Sequence, residues 1–149
     1  MKIKESLFIQ CDHAVKDKLE TIRTFIKNNR SALDQESKSS AGDKHETGRA
    51  MLHLEMEKAS RQLSEAIKMK EILQKIDLVQ VSEKIKLGSL IETDQGNFFL
   101  SVSLGPIKIQ NKTYYAVSTD SPVGHLLLGK ETGASIEMGS RIFNILKVQ

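Results

Sequence analysis

Apolar residues recur at three-and-four spacing through the first half of the chain: Leu7, Phe8, Cys11, Val15, Leu19, Ile22, Ile26, Asn29 and Leu33 lay one stripe along a helix. After a polar stretch, "SSAGDKHETGRA" at 39–50, the same spacing returns in Leu52, Met56, Ala59, Leu63, Ala66 and Leu73. Ile67, Met69, Ile72 and Ile76 widen that second stripe toward its end. Each stripe covers about two positions in seven, the width of a coiled-coil seam rather than of a globular helix face. Two such helices joined by a short polar connector pair antiparallel, so residues 1–77 are expected to form a helical hairpin with its tip near 36–46. Helices of about 30 residues would be ~45 Å long. Met51, Met56 and Met69 are assigned to the seam.

The period falls toward two after residue 77. Residues 78–149 hold both prolines and seven of the nine glycines. "GSLIETD" and "NFFLSVS" flank Gln95-Gly96, and "IKIQ" and "TYYAVS" flank Asn111-Lys112, two hairpin signals. "SPVGHLLLGK" predicts one short helix, with Ser121 as N-cap, Pro122 as its first residue and Gly129 as its stop. "ASIEM" and "RIFNILKV" flank Gly139-Ser140 and close the sheet. The fold class is α+β: a coiled-coil hairpin, then a small antiparallel sheet with one helix. "DLVQVSEK" is the linker, short and free of glycine.

Composition narrows the function classes. The 149 residues carry a net charge of +3 with acids and bases interleaved, and 39% are hydrophobic. No run approaches the ~20 apolar residues of a membrane span, and the N-terminus returns to charge too soon for a secretory signal. A single cysteine, Cys11, suits a reducing cytoplasm and reads as a buried small hydrophobe. No basic block or base-stacking strand points to direct nucleic-acid binding. His13, His45, His53 and His125 lack ligand spacing, and HExxH is absent from "HETGRAMLH". Lys16, Lys18, Arg23, Lys27 and Arg30 give the first helix a basic bias, which a solvated face explains and a guiding groove would also use.

One stretch, "VSTDSPVGHLLLGKETGASIEM", following a coiled-coil hairpin, resembles the bacterial Gre transcript-cleavage factors. Their C-terminal domain is FKBP-like and carries a segment matched here by Ser121, Pro122, Val123, Gly124, Leu127, Leu128, Gly129 and Lys130. "LGSLIET" and "RIFNILKV" resemble that domain's first and last strands. The resemblance spans nearly the whole chain. It implies a cytoplasmic factor that inserts its hairpin into the secondary channel of RNA polymerase. There the tip motif, matched by Gly42, Asp43 and Glu46, would present Asp43 as an oxygen ligand to a shared Mg²⁺ and Glu46 to the attacking water. The factor would have no cofactor of its own and would not be an enzyme alone. It would meet the backtracked RNA 3′ end indirectly, and Asp120, Ser121 and Pro122 would form the docking corner.

Alternatives stand beside this reading. Asp43 with Glu46 three residues on is also a capping-box pair, giving ~1 kcal/mol to the second helix without catalysis. The family's usual neighbours at the tip are replaced by Lys44, His45, Thr47, Gly48, Arg49 and Ala50. A channel regulator that does not cleave is therefore the runner-up. A prolyl isomerase would need an aromatic-lined pocket from Phe98, Phe99, Tyr114, Tyr115 and Phe143. A scaffold dimerising through its coil would be a stable dimer, whereas an intramolecular hairpin predicts a monomer.

Overall fold

The computed structural model describes the backbone of residues 2–38 and 42–149 and the side chains of residues 2–35 and 47–149. Two long helices, α1 (Lys2–Lys38) and α2 (Gly42–Gln74), form the N-terminal hairpin. They run to 37 and 33 residues, longer than the seam alone predicts. Backbone hydrogen bonding carries α2 through the polar stretch to Gly42, in spite of the helix-weakening Gly48. Six strands follow: β1 (Leu90–Thr93), β2 (Gly96–Ser101), β3 (Gly105–Ile109), β4 (Lys112–Ser118), β5 (Ser135–Met138) and β6 (Arg141–Val148). Between β4 and β5 lies α3 (Pro122–Leu127). The chain divides into two compact units, Val15–Lys70 and the combination of Met1–Ala14 with Glu71–Gln149.

Within Val15–Lys70 the seam is a strict alternation of four and three. Val15, Leu19, Ile22, Ile26, Asn29 and Leu33 turn inward on α1, and Leu52, Met56, Ala59, Leu63 and Ala66 on α2. This is the 3.5-residue repeat of a left-handed coiled coil. Met51, assigned to the seam from sequence, stands outside it and is 60% exposed. It lies one residue from Leu52, so helical geometry turns it away when Leu52 and Met56 take the seam.

The other unit is built on the sheet, ordered β3-β4-β2-β1-β6-β5. All neighbours are antiparallel except β2 and β4, which pair in parallel from Asn97↔Tyr114 to Ser101↔Ser118. The β3–β4 hairpin folds back so that β4 lies between β2 and β3. One sheet face joins α3: Ile91, Phe98, Leu100, Val123, Leu127, Ile136, Phe143 and Ile145 form its core with Ile85. On the opposite face, Leu90, Phe99, Tyr114 and Ala116 are also fully buried. The first turns of α1 contribute Leu7 and Cys11 to this unit, with Cys11 Sγ 4.0 Å from Ser101 Oγ. Strand β2 is thus covered on both faces, which is why Phe98 to Ser101 is one buried run rather than an alternation.

The turns sit one residue earlier than the hairpin signals predict. Thr93 pairs with Gly96, leaving Asp94-Gln95 as the β1–β2 turn. Ile109 pairs with Lys112, leaving Gln110-Asn111, whose φ angles of 49° and 66° mark a type I′ geometry. The β5–β6 turn falls at Gly139-Ser140 as expected.

Candidate functional site

The Ser-Pro corner follows directly from local chemistry. Ser121 is the N-cap of α3, with extended φ and ψ of −71° and 158°. Its Oγ accepts from the Gly124 N–H at 3.0 Å and donates to the Ser118 carbonyl at 2.7 Å. The Ser121 N–H reaches the same carbonyl at 3.2 Å. Pro122 opens the helix, where no N–H is needed. Gly124 has a steric reason: a Cβ there would overlap the Ser118 carbonyl oxygen. The helix closes on Leu128, and Gly129 takes a φ of 79° that a glycine adopts freely. Two bonds of 2.8 Å, Gly129 N–H to Ile85 O and Ile85 N–H to Lys130 O, tie the segment's end to the loop before β1.

These contacts sort the segment's residues by role. Ser121, Pro122, Val123, Gly124, Leu127 and Gly129 are accounted for by cap, core or backbone conformation. Asp120, His125, Leu128 and Lys130 are exposed, and the segment uses the last three through their backbones. Leu128 is a 40% exposed leucine on a corner otherwise satisfied internally. The sequence does not show this exposure, because "LLL" does not reveal which of its members faces out. Asp120 is thus exposed, whereas Ser121 and Pro122 shape the turn beside it.

The side chains of Asp43 and Glu46, with those of Lys44 and His45, lie outside the described residues. The hairpin's two flanks are described, and they differ. One holds a groove of about 450 Å³ lined by Arg23, Lys27, Arg30, Ser31, Ser60 and Asp34 beside Ile26 and Leu63. Lys16, Arg23 and Arg30 recur every seven residues, placing them on this flank. The other holds a groove of about 320 Å³ lined by the apolar Ile22, Phe25 and Ala59 together with Thr21, Glu55, Lys58 and Gln62. His13, His53 and His125 are exposed on three different helices.

The sheet unit carries buried polar groups, and one exposed carboxylate, Asp94, held by hydrogen bonds. Lys4 is only 3% exposed and its Nζ donates to the Gln149 carbonyl at 3.2 Å. Burial, then the charge of Lys86, hold its pKa below the ordinary ammonium value, against a smaller opposing pull from Asp77. Burial pushes the Cys11 thiol up to about 11, so it is a packing residue and not a nucleophile. Tyr114 is raised by burial and by the negative charge of Glu92, and its buried hydroxyl has no hydrogen-bond partner among the described residues. Asp94 is lowered by the Asn144 N–H and side-chain amide, at 2.8 and 2.7 Å. The aromatic rings of the strands are largely taken into packing: Phe98, Phe99, Tyr114 and Phe143 are buried, and Tyr115 is exposed.

No protein-family model matches the chain, and no curated protein sequence is significantly similar to it. Among solved structures it is similar to the GreA factor homolog 1 (Gfh1) protein of Thermus thermophilus, at 16% identity over 93% of this chain and 94% of that one, with a TM-score of 0.38. It is also similar to a second structure of the transcription factor Gfh1, at 19% identity over 92% of each chain, with a TM-score of 0.35.

Proposed function

We propose that the chain is a Gre-like transcription elongation factor that docks on RNA polymerase, enters its secondary channel with the helical hairpin and stimulates cleavage of backtracked transcripts. The observation that carries this reading is the placement of Gly42, Asp43 and Glu46 at the α1–α2 junction, at the end of a hairpin with an unbroken heptad pattern over most of its length. A stiff pair of helices, each roughly 50 Å long at 1.5 Å per residue, is the element needed to carry a carboxylate into a narrow channel. Asp43 supplies the hard oxygen donor that Mg²⁺ prefers. Glu46, three residues along the helix and on the same face, orients the attacking water. The metal belongs to the polymerase, so the chain lends ligands to a reaction it does not perform alone. The cytoplasm is where such a factor acts.

A second reading, channel regulation without cleavage, is favoured by one feature of the sequence: the two carboxylates have the basic residues Lys44, His45 and Arg49 as near neighbours along the chain. Opposite charge within a few ångströms engages a carboxylate and weakens its hold on a metal. The isomerase reading loses its aromatic rings to the core.

Adding purified protein to stalled, backtracked elongation complexes separates the two. Release of short 3′ RNA fragments is expected, and Asp43→Asn should abolish it with polymerase binding and thermal stability nearly unchanged, while higher Mg²⁺ restores part of it. A mere capping role for Asp43 would show the reverse: lower stability and intact cleavage. Wild-type protein that binds but releases no fragments is the regulator.

A further inference from the structure

Three features coincide in the outer part of the hairpin. Asn29 takes the seam position that follows Ile26, and its Nδ2 is buried with no hydrogen-bond partner among the described residues. An orphaned buried donor is a net loss at a position where an aliphatic residue would gain. Two residues on, Ser31 Oγ donates to the Lys27 carbonyl at 3.3 Å. This bond competes with the helix ladder and favours bending. The third feature is on α2. Two turns outward from the level shared by Ile22 and Ala59 come Asn29 and Leu52, and one further turn brings Leu33 and Gly48. Gly48 offers no side chain to the seam and is a poor residue for a helix interior. Met51 and Leu54, the other large apolar residues of this part of α2, are 60% and 65% exposed and add nothing to the seam.

The inner part packs more fully. Val15, Leu19, Ile22, Ala59 and Ala66 are buried, with Leu63 between them half-buried, and neither Val15–Ile26 nor Met56–Lys70 contains a glycine. We propose that the hairpin is built in two stability zones, with a boundary at Asn29. The inner zone, Val15–Ile26 with Met56–Lys70, opens only with the hairpin as a whole. The outer zone, Asn29–Gln35 with Thr47–Leu54, opens and closes as a paired unit of its own while the inner zone stays formed. Such an element lets the end of a stiff rod change shape without releasing its shaft. It stands independently of whether cleavage occurs.

Native-state amide exchange on the full chain tests this. Amides of the outer zone are expected to exchange roughly tenfold or more faster than those of Leu19–Ile26 and Met56–Leu63. Their rates should vary little with sub-denaturing urea, since a small opening exposes little surface. Asn29→Leu should slow outer-zone exchange by about tenfold and Gly48→Ala by about fivefold. Each substitution should slow both helices of that zone and leave the inner zone unchanged. Gly48→Ala adds a single methyl, so it reports even if the leucine variant self-associates. Uniform protection along the hairpin overturns the proposal. So does slowing confined to the substituted helix, which means two independently fraying ends, or slowing that spreads to Leu19–Ile26.

Discussion

A methyl group on Gly124 would run into the Ser118 carbonyl oxygen, and that oxygen already accepts from both the N–H and the Oγ of Ser121. The obstacle is backbone held by a cap, so a side chain cannot swing away to relieve it. Gly124→Ala should therefore lose about 2–3 kcal/mol, measured as a lower urea midpoint at unchanged slope. Gly129→Ala is the control: its φ of 79° disfavours alanine but nothing lies within 4 Å, so about 1 kcal/mol is expected. Equal losses at the two sites would discredit the steric account. The cap itself was legible, because Ser-Pro before an apolar run states its chemistry locally. The demand at Gly124 was not, because the clashing atom belongs to the end of β4.

Among the elements, the β3–β4 hairpin shows what turn chemistry tolerates. Gln110 and Asn111 both hold positive φ, though only the second is a residue type that enters this region readily. Pairing from Gly105↔Ala116 to Ile109↔Lys112 imposes the two-residue turn, since a shift by one would turn Tyr114 and Ala116 to the opposite face. Combining Gln110→Asn with Asn111→Gly installs the Asn-Gly pair that a type I′ turn favours. The double variant should stabilise the sheet unit by about 1 kcal/mol, read as a higher melting temperature. No gain, or a loss, would show that the turn residues make contacts worth more than their backbone strain. The sequence signal was right about the hairpin and late by one residue. A period-two pattern locates a strand pair without telling which polar residue closes it.

For the molecule as a whole, the proposed docking surface is the set of outward-facing residues of the Ser-Pro segment. Asp120 is exposed, beside a capped corner that does not need its carboxylate. On the proposed reading it meets a basic group of RNA polymerase. Asp120→Ala should then weaken that binding roughly tenfold, most strongly at low ionic strength, without altering thermal stability. Cleavage should fall at limiting factor and recover at saturation, unlike the loss from Asp43→Asn. Equal binding by variant and wild type across several salt concentrations would move the docking surface elsewhere, with exposed Leu128 and Lys130 next in line.

The two long helices, the seam of the hairpin, the capped start of α3 and the approximate hairpin turns were all legible along the chain. Each is written in residues close together, where a 3.5-residue or two-residue period decides which side chains share a face. The parallel pairing of β2 with β4 came only with the assembled fold, since it depends on how a later hairpin folds back. So did the covering of β2 on both faces, with Phe98 and Phe99 both buried, and the exposure of Ile142 and Leu146 on β6. Lys4 and Tyr114 were likewise beyond reading. Nothing in their neighbourhood of sequence marks a buried ammonium or an unpartnered hydroxyl, because their surroundings are assembled from segments up to 145 residues apart, as in the Lys4–Gln149 bond. Local chemistry sets which elements form, and long-range packing sets which of their faces meet water.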